Sequence, residues 1–209
     1  MRLPAGLYAV ADTGCVAPAR LLDAVHAAIE GGARVVQYRD KTGDSGVRAQ
    51  QARALATLCR ETATLFLVND DVQLAQDVNA DGVHLGRDDA TPAAARARLG
   101  ATAMIGVSCY DDLARALAAQ AQGVDYVALG SFFPSRTKPQ AARASADLLR
   151  AARAALSIPI VAIGGITPEN GADLLHAGAD SLAVITGLFE KTDVRAAATQ
   201  YAALFEAPR

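Results

Sequence analysis

The 209-residue chain has only three cysteines, Cys15, Cys59 and Cys109, an odd number without metal-ligand spacing. That excludes a disulfide framework and a cysteine-rich zinc site, and makes reduced thiols in the cytoplasm the expectation. No apolar run approaches the roughly 18 residues of a membrane helix, and the stretch after Met1-Arg2-Leu3-Pro4 breaks at Asp12, too soon for a signal peptide. Basic charge is not in excess either: the formal net charge is −2, which argues against nucleic acid as a partner and makes any anion site local. With 17 glycines and 8 prolines the chain has no low-complexity character, and no linker or compositional shift divides it. What is present, 52% hydrophobic and 20% charged residues, suffices for the core of a single domain over 1–209.

Short apolar runs recur along the whole length, each followed by an alanine-rich stretch of helical period, the pattern of βα units. It predicts strands near residues 7–11, 35–39, 65–68, 82–85, 104–107, 126–129, 160–163 and 182–185. Helices are predicted near 19–29, 47–59, 72–78, 92–99, 113–122, 146–156, 169–177 and 194–205. Gly31-Gly32, Asn79, Gly100, Gly123 and Gly178 stand where helix C-terminal caps belong. Eight such pairs close naturally into an α/β fold of the (β/α)8 TIM-barrel type, with an open doubly wound sheet as the alternative.

Strand after strand then runs into polar residues or glycine, and in a parallel barrel all these carboxyl ends share one rim, where sites are built. Gln37, Arg39 and Lys41 alternate with period two and, if the strand persists, point into the mouth together as an anion site. Asn69-Asp70-Asp71 opens a helix, so capping accounts for one of the three. Asp88-Asp89 follows the next strand, and carboxylates from adjacent strand ends can hold a hard cation such as Mg²⁺. His84 ends a buried strand, equally suited to a hydrogen-bonded core histidine and to catalysis, while His26 and His176 fall in helices and receive no role. The long loop 130–139 combines Phe132, Phe133 and Pro134 as anchors with hydroxyl and cationic donors, the makings of a lid. Ile163-Gly164-Gly165-Ile166-Thr167 and Val184-Ile185-Thr186-Gly187 occupy the last two strand ends, where such barrels present backbone N–H groups to a phosphate. By itself this pattern says enzyme or ligand binder without choosing.

Seven motifs in order carry a family resemblance over essentially the whole chain. They are Gln37-Tyr38-Arg39-Asp40-Lys41, Val68-Asn69-Asp70, Asp81-Gly82-Val83-His84-Leu85-Gly86 with Asp89, Ile105-Gly106-Val107-Ser108, Pro134-Ser135-Arg136-Thr137-Lys138, Ala162-Ile163-Gly164-Gly165-Ile166 and Val184-Ile185-Thr186. The sequence resembles the thiamine phosphate synthases, (β/α)8 transferases. The resemblance implies coupling of hydroxymethylpyrimidine pyrophosphate to thiazole phosphate with release of pyrophosphate. It implies Mg²⁺ on Asp70 and Asp89, and pyrophosphate on Arg39, Lys41, Asn69, Ser108 and Lys138, of which Lys138, Arg39 and Ser108 stand at the chemistry. Gln37 would place the pyrimidine, with His84 in the same substrate-binding set; Ser135 and Thr137 would lie in the mobile loop, and Gly165, Ile185 and Thr186 would bind the thiazole phosphate. Arg87 stands where the family usually has glutamine, Ser131 replaces a common proline, and Ser135 and Thr186 exchange the usual threonine and serine. A thiazole tautomerase-like enzyme and a non-catalytic thiamine phosphate-binding barrel are the alternatives. The expected partners are these small molecules, without membrane, and a homo-oligomer is compatible with the sequence.

Overall fold

A computed structural model describes residues 2–41, 44–134 and 143–206. Eight parallel strands close into a barrel in sequence order: β1 (Gly6–Asp12), β2 (Ala33–Arg39), β3 (Leu65–Asn69), β4 (Gly82–Leu85), β5 (Met104–Tyr110), β6 (Tyr126–Leu129), β7 (Ile160–Ile163) and β8 (Ser181–Val184). The open-sheet alternative is thereby excluded. The helices are α1 (Leu21–Glu30), α2 (Ser45–Glu61), α3 (Val72–Asp77), α4 (Pro92–Leu99), α5 (Leu113–Ala121), α6 (Ala146–Ala155), α7 (Pro168–His176), α8 (Thr186–Phe189) and α9 (Val194–Ala203). Each expected element is present within a few residues, and two short ones are additional: a 3-10 turn at Pro18–Arg20 and the four-residue α8.

Local chemistry explains the boundaries. Asp44, Asp71, Thr91, Asp112, Ser145 and Asp193 each accept a backbone N–H of the first turn of the helix they precede. At the far ends Asn79, Gly100, Gly123 and Gly178 have positive φ, as a left-handed exit requires. Two layers of apolar side chains follow from strand alternation. One lies between strands and helices; the other fills the barrel with Tyr8, Val10, Val35, Leu65, Leu67, Met104, Tyr126, Ala128, Val161 and Ala183.

At the amino-terminal end a device repeats. Asp81, Asp125 and Asp180 immediately precede β4, β6 and β8, and each carboxylate accepts the N–H of Phe66, Ile105 or Ile160 on the preceding strand at 2.7–2.8 Å. Each aspartate also returns its own N–H to the carbonyl of that same residue. Arg96 and Arg153 brace the second and third of these. The barrel is thus pinned in register at the end remote from the polar strand termini. No helix among the described residues is long and apolar enough to cross a membrane.

Candidate active site

At the carboxyl end of the barrel a cavity of about 530 Å³ is lined by Gln37, Arg39, Asn69, His84, Arg87 and Ser108 on one side and by Gly130, Ser131, Ile163, Gly164 and Ile185 on the other. Gln37 and Arg39 enter it from the inward face of β2. Gln37 is only 4% exposed, and its amide Nε2 has no hydrogen-bond partner among the described residues. A buried donor of this kind is costly unless a ligand meets it. Arg39 pairs with Asp12, itself 4% exposed at the end of β1. Sequence reasoning passed over Asp12; its signal was that it ends an apolar strand as the other rim residues do.

The alternation expected through Lys41 stops at Arg39, where β2 ends. Lys41 does not line the cavity; its amine lies on the Asp70 carboxylate at the exposed rim. Of the three residues Asn69, Asp70 and Asp71, the last is the helix cap, accepting from the Leu74 N–H at 2.9 Å and pairing with Arg48. Asn69 lines the cavity, and Asp70 turns outward with φ +63°. The carboxyl groups of Asp70 and Asp89 are neighbours, close enough to perturb one another. Partial burial and that neighbour push Asp89 above the usual carboxylate range, against the pull of the Gly86 N–H and Lys41. Crowded carboxylates at adjacent strand ends favour a cation between them. Among the described residues no third histidine, cysteine or acid completes a protein-only metal cage. Mg²⁺ needs none, since it commonly takes one or two carboxylates and fills the rest of its shell with water and phosphate. The pair therefore fits that ion.

His84 is a hydrogen-bonded core histidine that also lines the cavity. It is 9% exposed and engaged at both ring nitrogens, Nδ1 with the Tyr126 hydroxyl at 2.9 Å and Nε2 with Ser108 Oγ at 2.8 Å. Desolvation by burial lowers its pKa to about 4, more than the nearby Asp89 raises it, so the ring is neutral near pH 7. Arg87 is exposed, with its guanidinium 4.8 Å from the centre of the Tyr110 ring. The Arg87 guanidinium is therefore held against an aromatic face at the cavity wall.

Across the mouth, Gly164, Gly165, Ile185 and Thr186 surround a small separate cavity of about 30 Å³ between the ends of β7 and β8. Gly164 and Gly165 both have positive φ. A Cβ on Gly165 would lie 2.5 Å from the Pro134 carbonyl and 2.8 Å from Phe133, so the neighbouring loop itself requires this glycine. Phe132 and Phe133 anchor that loop, donating their N–H groups to the carbonyls of Ile163 and Gly164. Ser131 Oγ donates to the Phe133 carbonyl at 2.9 Å. Ser135, Thr137 and Lys138 lie outside the described residues.

The chain matches a family model described as thiamine monophosphate synthase over residues 7–188. It is 52% identical over 196 residues to the thiamine-phosphate synthase of Nitrosococcus oceani, covering 94% of this chain and 90% of that one. To the thiamine-phosphate synthase of Chromobacterium violaceum it is 55% identical over 202 residues, 97% of each chain. Among solved structures, the thiamine phosphate pyrophosphorylase from Pyrococcus furiosus superposes with a TM-score of 0.86 at 34% identity, over 96% of this chain and 95% of the other. A 3-hexulose-6-phosphate synthase at 17% identity and TM-score 0.66 shares the fold alone.

Proposed function

The chain belongs to the thiamine monophosphate synthase family and is a transferase of that type, and from this premise we propose that it joins hydroxymethylpyrimidine pyrophosphate to thiazole phosphate, releasing pyrophosphate. The observation that carries the proposal is the division of one mouth into two unlike halves. The ends of β2 to β5 bring cationic, amide and carboxylate groups, whereas β7 and β8 end in a neutral glycine cup. A pyrophosphate ester suits the first half and a phosphate monoester the second.

In this reading the unpartnered, buried Gln37 amide donates to an acceptor on the pyrimidine. Arg39, held in place by Asp12, faces the pyrophosphate together with Asn69 and Ser108, and Lys41 approaches it from the rim. Lys138 joins them by family resemblance. Backbone N–H groups around Gly165, Ile185 and Thr186 take the thiazole phosphate and thereby fix the nucleophilic nitrogen at the far end of that substrate. Mg²⁺ would be held by Asp70 and Asp89, and when bound would offset the negative charge of the departing pyrophosphate.

The test combines the purified protein with both substrates and Mg²⁺. Thiamine phosphate and pyrophosphate should appear in equal amounts, and omitting either substrate or the metal should abolish both. Proton exchange on the thiazole without coupling would instead identify a tautomerase, and tight binding of thiamine phosphate without turnover a binding protein.

A further inference from the structure

Three buried side chains and the half-buried Ser108, from four strands, form one hydrogen-bonded chain through the barrel. The Tyr8 hydroxyl on β1 meets the Tyr126 hydroxyl on β6 at 2.9 Å, Tyr126 meets His84 Nδ1 on β4, and His84 Nε2 meets Ser108 Oγ on β5. Tyr126 reaches His84 across the intervening strand because the residue between them in register is Gly106. A Cβ there would lie 1.9 Å from the Tyr126 ring.

Counting protons fixes the direction of this chain. The two tyrosines are fully buried, and burial raises the pKa of each phenol above its ordinary value, so both keep their protons. The Tyr8 hydroxyl has no acceptor among the described residues other than Tyr126. If Tyr126 instead donated to Tyr8, the Tyr8 proton would be buried without a partner. Tyr8 therefore donates to Tyr126, and Tyr126 must donate to His84 Nδ1. A neutral imidazole has one remaining proton, which then sits on Nε2 and is given to Ser108 Oγ.

We propose that this chain holds His84 in the Nε2–H form, so that Ser108 accepts from His84 and its own hydroxyl proton is free to be donated into the cavity. His84 and Tyr126 are positioning residues, and Ser108 is the donor they aim. The pair has the spacing of a nucleophilic serine and its base, but the opposite polarity: His84 Nε2 already carries a proton and cannot take one from Ser108. That Ser108 delivers its proton to a pyrophosphate oxygen rests on the function proposed above. The tautomer does not.

The experiment is ¹⁵N NMR on histidine-labelled full-length protein without substrates, near pH 7. There are three histidines, and His84→Asn identifies the signal. The expected result is an unprotonated Nδ1 and a protonated Nε2 on His84. Tyr126→Phe should move both nitrogens toward the averaged shifts of a tautomer mixture, and lower kcat about tenfold or more with a smaller change in KM. Tyr8→Phe, which leaves Tyr126 no acceptor but Nδ1, should leave the tautomer as it is. A proton on Nδ1 in the unsubstituted protein, or ¹⁵N shifts unmoved by Tyr126→Phe, would overturn the assignment. If the tautomer is as stated and no coupling activity is found, the functional reading fails by itself.

Discussion

Asp70 and Asp89 crowd one another at the rim while Lys41 rests on the first of them, an arrangement in which each side chain restrains the others. Neutralising either acid removes a ligand from the proposed Mg²⁺ site but leaves the barrel untouched. Asp70→Asn and Asp89→Asn should each shift the Mg²⁺ titration of activity upward by about tenfold or more with little change in melting temperature, since loss of a ligand weakens a metal site without creating a cavity. Coincident titration curves would remove these residues from the metal. His84 makes a different prediction. Its pKa of about 4 lies below the ordinary 6.5, so between those values the unfolded chain binds a proton that the folded one refuses, and stability falls as pH drops through that window. The loss approaches about 3 kcal/mol at its acid end. Melting curves should therefore show a steeper decline from pH 6.5 to pH 4 in the unsubstituted protein than in His84→Asn. Gly165 and Thr186 divide similarly. A side chain at Gly165 strikes Phe133 and Pro134 and strains a φ of +63°, so Gly165→Val should lose stability and both substrates together. Thr186→Val leaves the backbone intact and should raise KM for thiazole phosphate alone, by about tenfold if the hydroxyl bonds a phosphate oxygen.

At the level of elements, the paired aspartate bonds before β4, β6 and β8 locate the barrel's mechanical restraint far from its mouth. Asp180→Ala strips the Ile160 N–H of its acceptor and leaves Arg153 without its carboxylate. The expected cost is about 1–3 kcal/mol in denaturant unfolding, with kcat per folded molecule unchanged. A kcat that fell with stability preserved would contradict this separation of the two ends. The strands were legible because buried parallel strands read as bounded apolar runs, and the helix ends because Asn79, Gly100, Gly123 and Gly178 are residues that accept a left-handed conformation. Four residues from Thr186 to Phe189 are too few to show helical periodicity, so α8 was not legible. The Tyr8, Tyr126, His84 and Ser108 chain was not legible either, because Tyr8 and Tyr126 stand 118 positions apart and only barrel closure brings them together. Asp12 and Arg39 belong to the same class, an ion pair made by the neighbouring ends of β1 and β2. Lys41 leaves the expected alternation for the converse reason: an alternating pattern holds its face only while the strand lasts, and β2 ends at Arg39.

For the molecule as a whole, the question is which bond changes first when two substrates meet between the halves of the mouth. Neither the three thiols nor Ser108 offers an activated nucleophile for a covalent intermediate. Cys59 and Cys109 are buried, with thiols pushed up to about 12 chiefly by desolvation, and Cys15 is raised as well. Ser108, by the proton count above, faces a protonated nitrogen and has no base to activate it. Direct transfer remains, and the barrel's division suits a reaction in which leaving precedes attack. On the proposed function, the pyrimidine against Gln37 would carry an amino group able to stabilise positive charge at the reacting carbon, while Arg39, with Lys41 approaching from the rim, would offset the departing negative charge. On the same reading the opposite half would contribute position: fixing the thiazole through its phosphate would place the nitrogen near the carbon without raising its nucleophilicity. Electron-withdrawing substituents on the pyrimidine should therefore slow single-turnover coupling by orders of magnitude while leaving its binding nearly unchanged, because they destabilise the cation and spare the pyrophosphate contacts. Rates that were indifferent to the pyrimidine and followed the nucleophilicity of the thiazole would place attack first, and the two halves of the mouth would then serve to press the reactants together.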